Sequence, residues 1–270
     1  MKKSIVRYYN QEVLDPVINF LEKSNSFQGV SFANNPQAPP FIVIKNTVKN
    51  PKKKVLLTGG IHGDEPAGVL GIINNLELID ELCKENSIEC TIIPCLNISG
   101  YKLNTRNNIS NQDINREFHF ETSNLEARYF IENFKDSYDL NIDFHETCPE
   151  DSSDVAQAGD RLPNEFYLYE VCEDKDKRVG HLIIKTIKEL GFKTYQSPTI
   201  FGDTNQDGLI SYPEACKNPI YAQGTSLDLY LYNNKLSKNA LTIETMAHYE
   251  MEHRVNQIKE ILKICLKKEK

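Results

Sequence analysis

Residues 55–78 read as strand, turn and helix without a break. Val55-Leu56-Leu57-Thr58 is a short apolar run of the kind buried in a sheet. Gly59-Gly60 end it, and Pro66 stands where a first helical turn loses nothing from a missing N–H. The residues after Pro66 are apolar at helical spacing, which predicts a helix over 66–84. A unit of this kind places its turn at the carboxyl edge of a sheet, where open α/β sheets take their ligands. His62 and Glu65 lie on that turn with two residues between them, so both can reach one ion. A neutral imidazole and a carboxylate are zinc ligands. Taken alone, His62 in a polar loop would more often be a cap or a hydrogen-bonding group. The pairing with Glu65, and the residues at the ends of later strands, favour a metal.

The rest of the chain extends the pattern. Strands are expected at 41–44, 90–94, 140–144 and 241–243, and helices at 12–24, 121–134, 176–190 and 249–268. Strands alternating with helices predict an α/β fold with a mixed, mostly parallel central sheet flanked by helices. The stretch 97–118 is polar, Asn-rich and long for a structureless loop, which points to a functional one. Residues 146–166 and 194–224 read as irregular. Tyr167, Tyr169, Tyr230 and Tyr232 alternate as packing residues on expected strands. His119, His181, His248 and His253 have no partner at ligand spacing and are read as surface or packing residues. No shift in composition divides the 270 residues, so a single domain over 1–270 is expected.

Charge and cysteine usage exclude several classes. The net charge is -7, with acids and bases interleaved and no basic face, which argues against a nucleic-acid partner. No run is long and apolar enough for a signal-peptide core or a membrane span, so no membrane partner is expected. Seven cysteines are scattered singly without a CxxC pair, as suits reduced thiols and a cytoplasmic location.

Two further expected strands end on candidate chemical residues. Leu140 to Phe144 runs into His145, and Leu241-Thr242-Ile243 into Glu244. Two histidines and one glutamate leave a tetrahedral zinc an open position for water. Zinc lowers the pKa of that water to near 7. A further carboxylate must then accept the water's proton and pass it to a leaving group. Glu244 is the candidate, although it could instead cap the next helix. Arg106 and Arg116 lie in the polar segment RNNISNQDINREF, where arginine suits carboxylate recognition and oxyanion stabilisation. Either one alone would be read as an ordinary surface arginine.

The motifs GGIHGDEPAG, TRNN…DINREF, DFHET, IYAQGTSLDLYLY and LTIETM, in that order, resemble the zinc carboxypeptidases of the funnelin family over about residues 55 to 246. The resemblance implies roles. His62, Glu65 and His145 would bind zinc, and Arg106 would polarise the scissile carbonyl. Asn115 and Arg116 would clamp the free α-carboxylate of a small peptide. Asp113 would orient His62, as ligand histidines require. Tyr221 would close over the substrate, and Leu227 would line the pocket for the terminal side chain. Glu244 would be the general base. The short spacing from Glu65 to His145 is also similar to that of N-acyl amino acid deacylases of the succinylglutamate desuccinylase and aspartoacylase type. The runs around Tyr221 and Glu244 favour the peptidase branch. A non-catalytic, calcium-braced peptide-binding module ranks third, since no ligand or base is missing.

A second motif stands apart. Asp203, Asn205, Asp207, Gly208 and Glu214 match the EF-hand calcium loop D-x-[DN]-x-[DN]-G-x₅-E in full, with the Leu209 carbonyl and Ser211 at the intermediate ligand positions. Flanking helices are not expected there. Pro198 lies before the motif, Pro213 within it and Pro219 after it, and an Asx-rich turn is the competing reading. A structural calcium ion in an insertion at about 197–219 is the expectation that the motif supports.

Overall fold

The computed structural model describes residues 7–30, 40–147, 162–214 and 226–267. A π-helical turn, Asn10–Leu14, leads into helix α1, Asp15–Lys23. Strands β1 (Phe27–Gly29) and β2 (Ile44–Asn46) precede β3 (Lys53–Gly59), helices α2 (Pro66–Ile73) and α3 (Leu76–Asn86), and β4 (Ile88–Ile93). Helix α4 (Ile98–Leu103) and a 3-10 turn at Ile114–Arg116 lead to α5 (Leu125–Asn133) and β5 (Leu140–Thr147). Then come β6 (Tyr167–Val171), α6 (Gly180–Glu189), β7 (Thr199–Ile200), β8 (Asp203–Thr204) and β9 (Leu209–Tyr212). Helix α7 (Leu227–Asn233), β10 (Ala240–Met246) and α8 (Met251–Cys265) close the described chain.

Eight strands form one sheet in the order β1-β2-β4-β3-β5-β10-β6-β9. The β4–β3, β3–β5, β5–β10 and β6–β9 pairs are parallel, and the other three are antiparallel. The sheet is therefore mixed and mostly parallel, as expected. Its central three strands, β3, β5 and β10, all run the same way, so their carboxyl ends share one edge.

Apolar side chains cover both faces. Leu140, Ile142 and Phe144 of β5 join Val55, Leu57, Leu241 and Ile243 in a cluster that also takes in α2, α3, α6 and α8. Leu56, Ile61, Phe118, Phe130 and Leu227 form a second cluster beneath α5 and α7. Helix α2 lies close to the sheet. A Cβ on Gly68 would come within 2.5 Å of the Phe144 carbonyl oxygen, so only glycine permits that approach.

Several boundaries differ from expectation for local reasons. The helix expected over 66–84 breaks at Asn74-Asn75, where Asn75 Nδ2 donates to the Gly71 carbonyl at 2.8 Å and competes with the helical ladder. The polar segment 97–118 is partly ordered: Asn97 caps α4 by accepting from the Gly100 N–H at 2.8 Å. Tyr230 and Tyr232 lie on α7, not on a strand. Among the described residues no helix is long and apolar enough to cross a membrane.

The calcium-loop motif is a β-hairpin. Gln206 and Leu209 pair through both backbone hydrogen bonds, at 2.8 and 3.1 Å, around Asp207-Gly208. Both turn residues have positive φ, 61° and 95°, which is the Asp-Gly two-residue turn of a tight hairpin. The side chains expected to surround an ion have other partners. Asp203 accepts from the Tyr212 hydroxyl at 2.5 Å, and Asn205 donates to the Tyr195 and Ser197 carbonyls. Asp207 pairs with Lys188, and Glu214 with Arg178 at 2.7 Å and Lys175 at 3.1 Å. The Leu209 and Ser211 positions lie in β9. The calcium expectation therefore gains no support, because the hairpin turn accounts for Asp207-Gly208 and the side chains of Asp203, Asn205 and Glu214 have protein partners.

Candidate metal and catalytic site

Parallel strands and side-chain alternation assemble the site at one sheet edge. On β5, residues 141, 143, 145 and 147 face one way, opposite Leu140, Ile142 and Phe144. The register sets His145 beside Glu244 of β10 and sets Asp143 beside Thr58 of β3. The turn after β3 then brings His62 and Glu65 over the same edge.

His62, Glu65 and His145 are all buried, and their ligand atoms lie within 4.8 Å of one another. They form the only group of three or more His, Cys, Asp or Glu side chains among the described residues with that spacing. The Nδ1 atoms of both histidines converge on Glu65, at 2.6 Å for His62 and 2.8 Å for His145. The remaining ring nitrogens are each held by a carboxylate: His62 Nε2 by Asp113 at 3.1 Å, and His145 Nε2 by Asp143 at 3.0 Å. Such outer carboxylates fix the tautomer and aim of a metal-binding imidazole. Two imidazoles presenting Nδ1 beside one carboxylate, each braced from behind, fit a zinc ion.

The outer carboxylates are themselves held. Asp143 accepts from Thr58 Oγ1 at 2.6 Å. Asp113 accepts from the Asn115 N–H at 3.0 Å, so it caps the 3-10 turn while it orients His62. Arg106 donates to Asp113 through Nε at 3.1 Å, and its NH1 lies 3.7 Å from Glu65. Asn115 accepts the Leu227 N–H on Oδ1 at 2.9 Å. Arg116 NH1 donates to the Asn115 carbonyl at 3.1 Å. Glu244 accepts from Thr147 Oγ1 at 2.9 Å.

Charge and burial oppose each other here. Burial would lower both imidazole pKa values, but Glu65 and Asp113 around His62, and Asp143 and Glu65 around His145, raise them overall. Burial would raise Glu65, yet the two histidines hold it well below the usual carboxylate range. Burial pushes Glu244 up to about 7, against the pull of His145, Thr147 and His62. A carboxyl with that value is poised to exchange a proton near neutral pH.

The expected residues His62, Glu65, Arg106, Asp113, Asn115, His145 and Glu244 thus meet at one edge. Leu227 differs: it is fully buried in the cluster beneath α7, and its backbone rather than its side chain reaches Asn115. Its apolar side chain belongs to the core. Tyr221 lies outside the described residues. Sequence reading missed Asp143 and Thr147, although the alternation in Asp143-Phe144-His145-Glu146-Thr147 sets both on the face of His145. It also missed Glu146, which points to the other face. There it accepts the Ala67 N–H at 2.7 Å and pairs with Arg254 of α8.

Comparison with known proteins gives three results. Residues 51–160 match the family model of the succinylglutamate desuccinylase/aspartoacylase catalytic domain. No curated protein matches the chain in sequence. Solved structures share its fold. A candidate metallopeptidase of Shewanella amazonensis superposes with a TM-score of 0.73 at 16% identity, covering 97% of each chain. One from Shewanella denitrificans gives 0.71 at 19% identity, over 93% of this chain and 87% of the other. A metallo-carboxypeptidase from Burkholderia cenocepacia gives 0.61 at 15% identity, over 92% of this chain and 66% of the other. The neighbour family named from the Glu65–His145 spacing thus recurs as a family model over residues 51–160, and the likeness to the solved structures is one of fold.

Proposed function

We propose that the chain is a zinc-dependent metallocarboxypeptidase that hydrolyses the C-terminal peptide bond of small peptides. The observation that carries this reading is the convergence of His62, Glu65 and His145 beside Glu244 at one sheet edge. Those three residues would hold the ion, which when bound polarises a carbonyl and acidifies a water. Glu244 accepts the proton of the attacking water and returns it to the leaving nitrogen. Arg106, turned toward Glu65 and Asp113, stabilises the developing oxyanion. Asn115 has its Oδ1 engaged by Leu227, which orients its amide to donate, and together with Arg116 it binds the terminal carboxylate. Asp113 and Asp143 keep both imidazoles aimed.

A second reading has a specific observation behind it. The match of residues 51–160 to the desuccinylase/aspartoacylase domain favours an N-acyl amino acid deacylase built on the same residues. Both reactions cleave an amide next to a carboxylate-bearing amino acid. One experiment separates them. Zinc-loaded protein is given a panel of dipeptides, tripeptides and N-acyl amino acids, and released amino acid is measured, with Glu244→Gln alongside. Release from peptides, reduced by about 10²- to 10⁴-fold in Glu244→Gln while zinc is retained, upholds the first reading. Turnover of acyl amino acids alone transfers the site to the second. No turnover of either class overturns both.

A further inference from the structure

Resting on the hydrolase reading and deepening it, we propose that Thr147 and Tyr167 are positioning residues for Glu244. Together they form a hydroxyl relay that holds Oε2 of its carboxylate and leaves proton transfer to Oε1. The geometry follows from two strand rules. Thr147 lies two residues beyond His145 on β5, so it emerges on the same face. Tyr167 of β6 is the antiparallel register partner of Glu244, so the two side chains stand next to each other on that face. Glu244 is thus flanked by one hydroxyl from each neighbouring strand.

The hydrogen bonds give the relay a direction. Thr147 Oγ1 donates to Glu244 Oε2 at 2.9 Å, and the Tyr167 hydroxyl lies 2.8 Å from the same Oγ1. A threonine hydroxyl has one proton, and an ionised carboxylate can only accept. With Thr147 donating to Glu244, Tyr167 must donate to Thr147. Thr147 is 8% exposed and Tyr167 only 2%, so solvent has little access to compete for either bond. Charge-assisted bonds to a carboxylate are the stronger kind, and a relay polarises each link. The rotamer freedom of a glutamate is thereby removed before substrate arrives, which is how a base is kept within reach of its proton.

Packing is the competing account, since Tyr167 also belongs to the small apolar cluster around Ile210 and Met246. Tyr167→Phe keeps the ring and removes only the hydroxyl, and Thr147→Val keeps the shape while removing the donor. On the substrate class that the wild type turns over, Thr147→Val lowers kcat by about 10- to 100-fold, with KM and bound zinc little changed. Thr147→Ser restores kcat. Tyr167→Phe lowers kcat by about 2- to 10-fold, the scale of one hydrogen bond. It costs nothing further in the Thr147→Val background, because its effect passes through Thr147.

A Thr147→Val kcat equal to wild type, where Glu244→Gln has lost activity, overturns the relay. So does a Tyr167→Phe loss that adds in full to Thr147→Val. If the zinc-loaded wild type hydrolyses neither peptides nor acyl amino acids, the hydrolase reading fails. A crystal structure of Thr147→Val then decides the relay on its own. A Glu244 carboxylate turned from its wild-type rotamer upholds the relay, and an unmoved one overturns it.

Discussion

At the residue scale, the two histidines are held as much from behind as from the front. Asp143 accepts from Thr58 and holds the far nitrogen of His145, and so sets which nitrogen faces Glu65. Asp143→Asn keeps the shape and weakens that hold. It should weaken zinc binding by about 10- to 100-fold in a chelator competition, and unchanged affinity would show that His145 needs no such support. The raised imidazole pKa values make a second prediction. A histidine raised in the fold stabilises the metal-free protein below its unfolded value, about 6.5, and that contribution fades as pH rises through the folded value. Zinc needs both rings neutral, so it competes with those protons. The rise in Tm on adding zinc should therefore be largest at pH 8 and shrink steadily toward pH 5.5. A rise that is constant across that range would contradict the assignment of His62 and His145 as ligands.

At the scale of elements, the hairpin at Asp207-Gly208 shows how one motif serves two architectures. Gly208 has φ 95°, and a Cβ there would lie 2.9 Å from Thr194 Cβ and 3.0 Å from the Phe166 carbonyl oxygen. Gly208→Ala should cost about 1–2 kcal/mol, the strain of a left-handed position, read from urea unfolding. Millimolar calcium should leave the Tm unchanged, because Lys188, Arg178 and Lys175 already occupy the outer carboxylates. A calcium-dependent rise in Tm would return the loop to the ion. The elements around the proposed active site were more legible. The βα turn of 55–66 and the strands that carry His145 and Glu244 followed from apolar runs and punctuation, although both strands run past those residues, to Thr147 and Met246. Helix α4 and the break at Asn75 did not, because single asparagine side chains decided them.

At the scale of the whole molecule, α8 reaches the site from the far end of the chain. Arg254 pairs with Glu146, which also receives the Ala67 N–H at the start of α2, one residue along from His145 and two from Glu65. Burial raises the Glu146 pKa despite Arg254, so the carboxylate depends on its partner. Removing one member of a buried pair leaves an uncompensated charge. Arg254→Met should cost about 3–5 kcal/mol in urea unfolding, and adding Glu146→Gln should recover part of the loss. If Arg254→Met is neutral, α8 is not a brace for this region.

The sequence by itself determined the fold class and the identity of the residues that converge. Apolar runs lead into His145 and Glu244, and a period of two or 3.6 is local information. Only the tertiary structure decided the neighbours. The register of β10 against β5 and β6 put Thr147 and Tyr167 beside Glu244. The path of the 97–118 segment brought Asp113 to His62, 51 residues away. Those contacts depend on how strands align and how a loop returns, which no short stretch of sequence encodes.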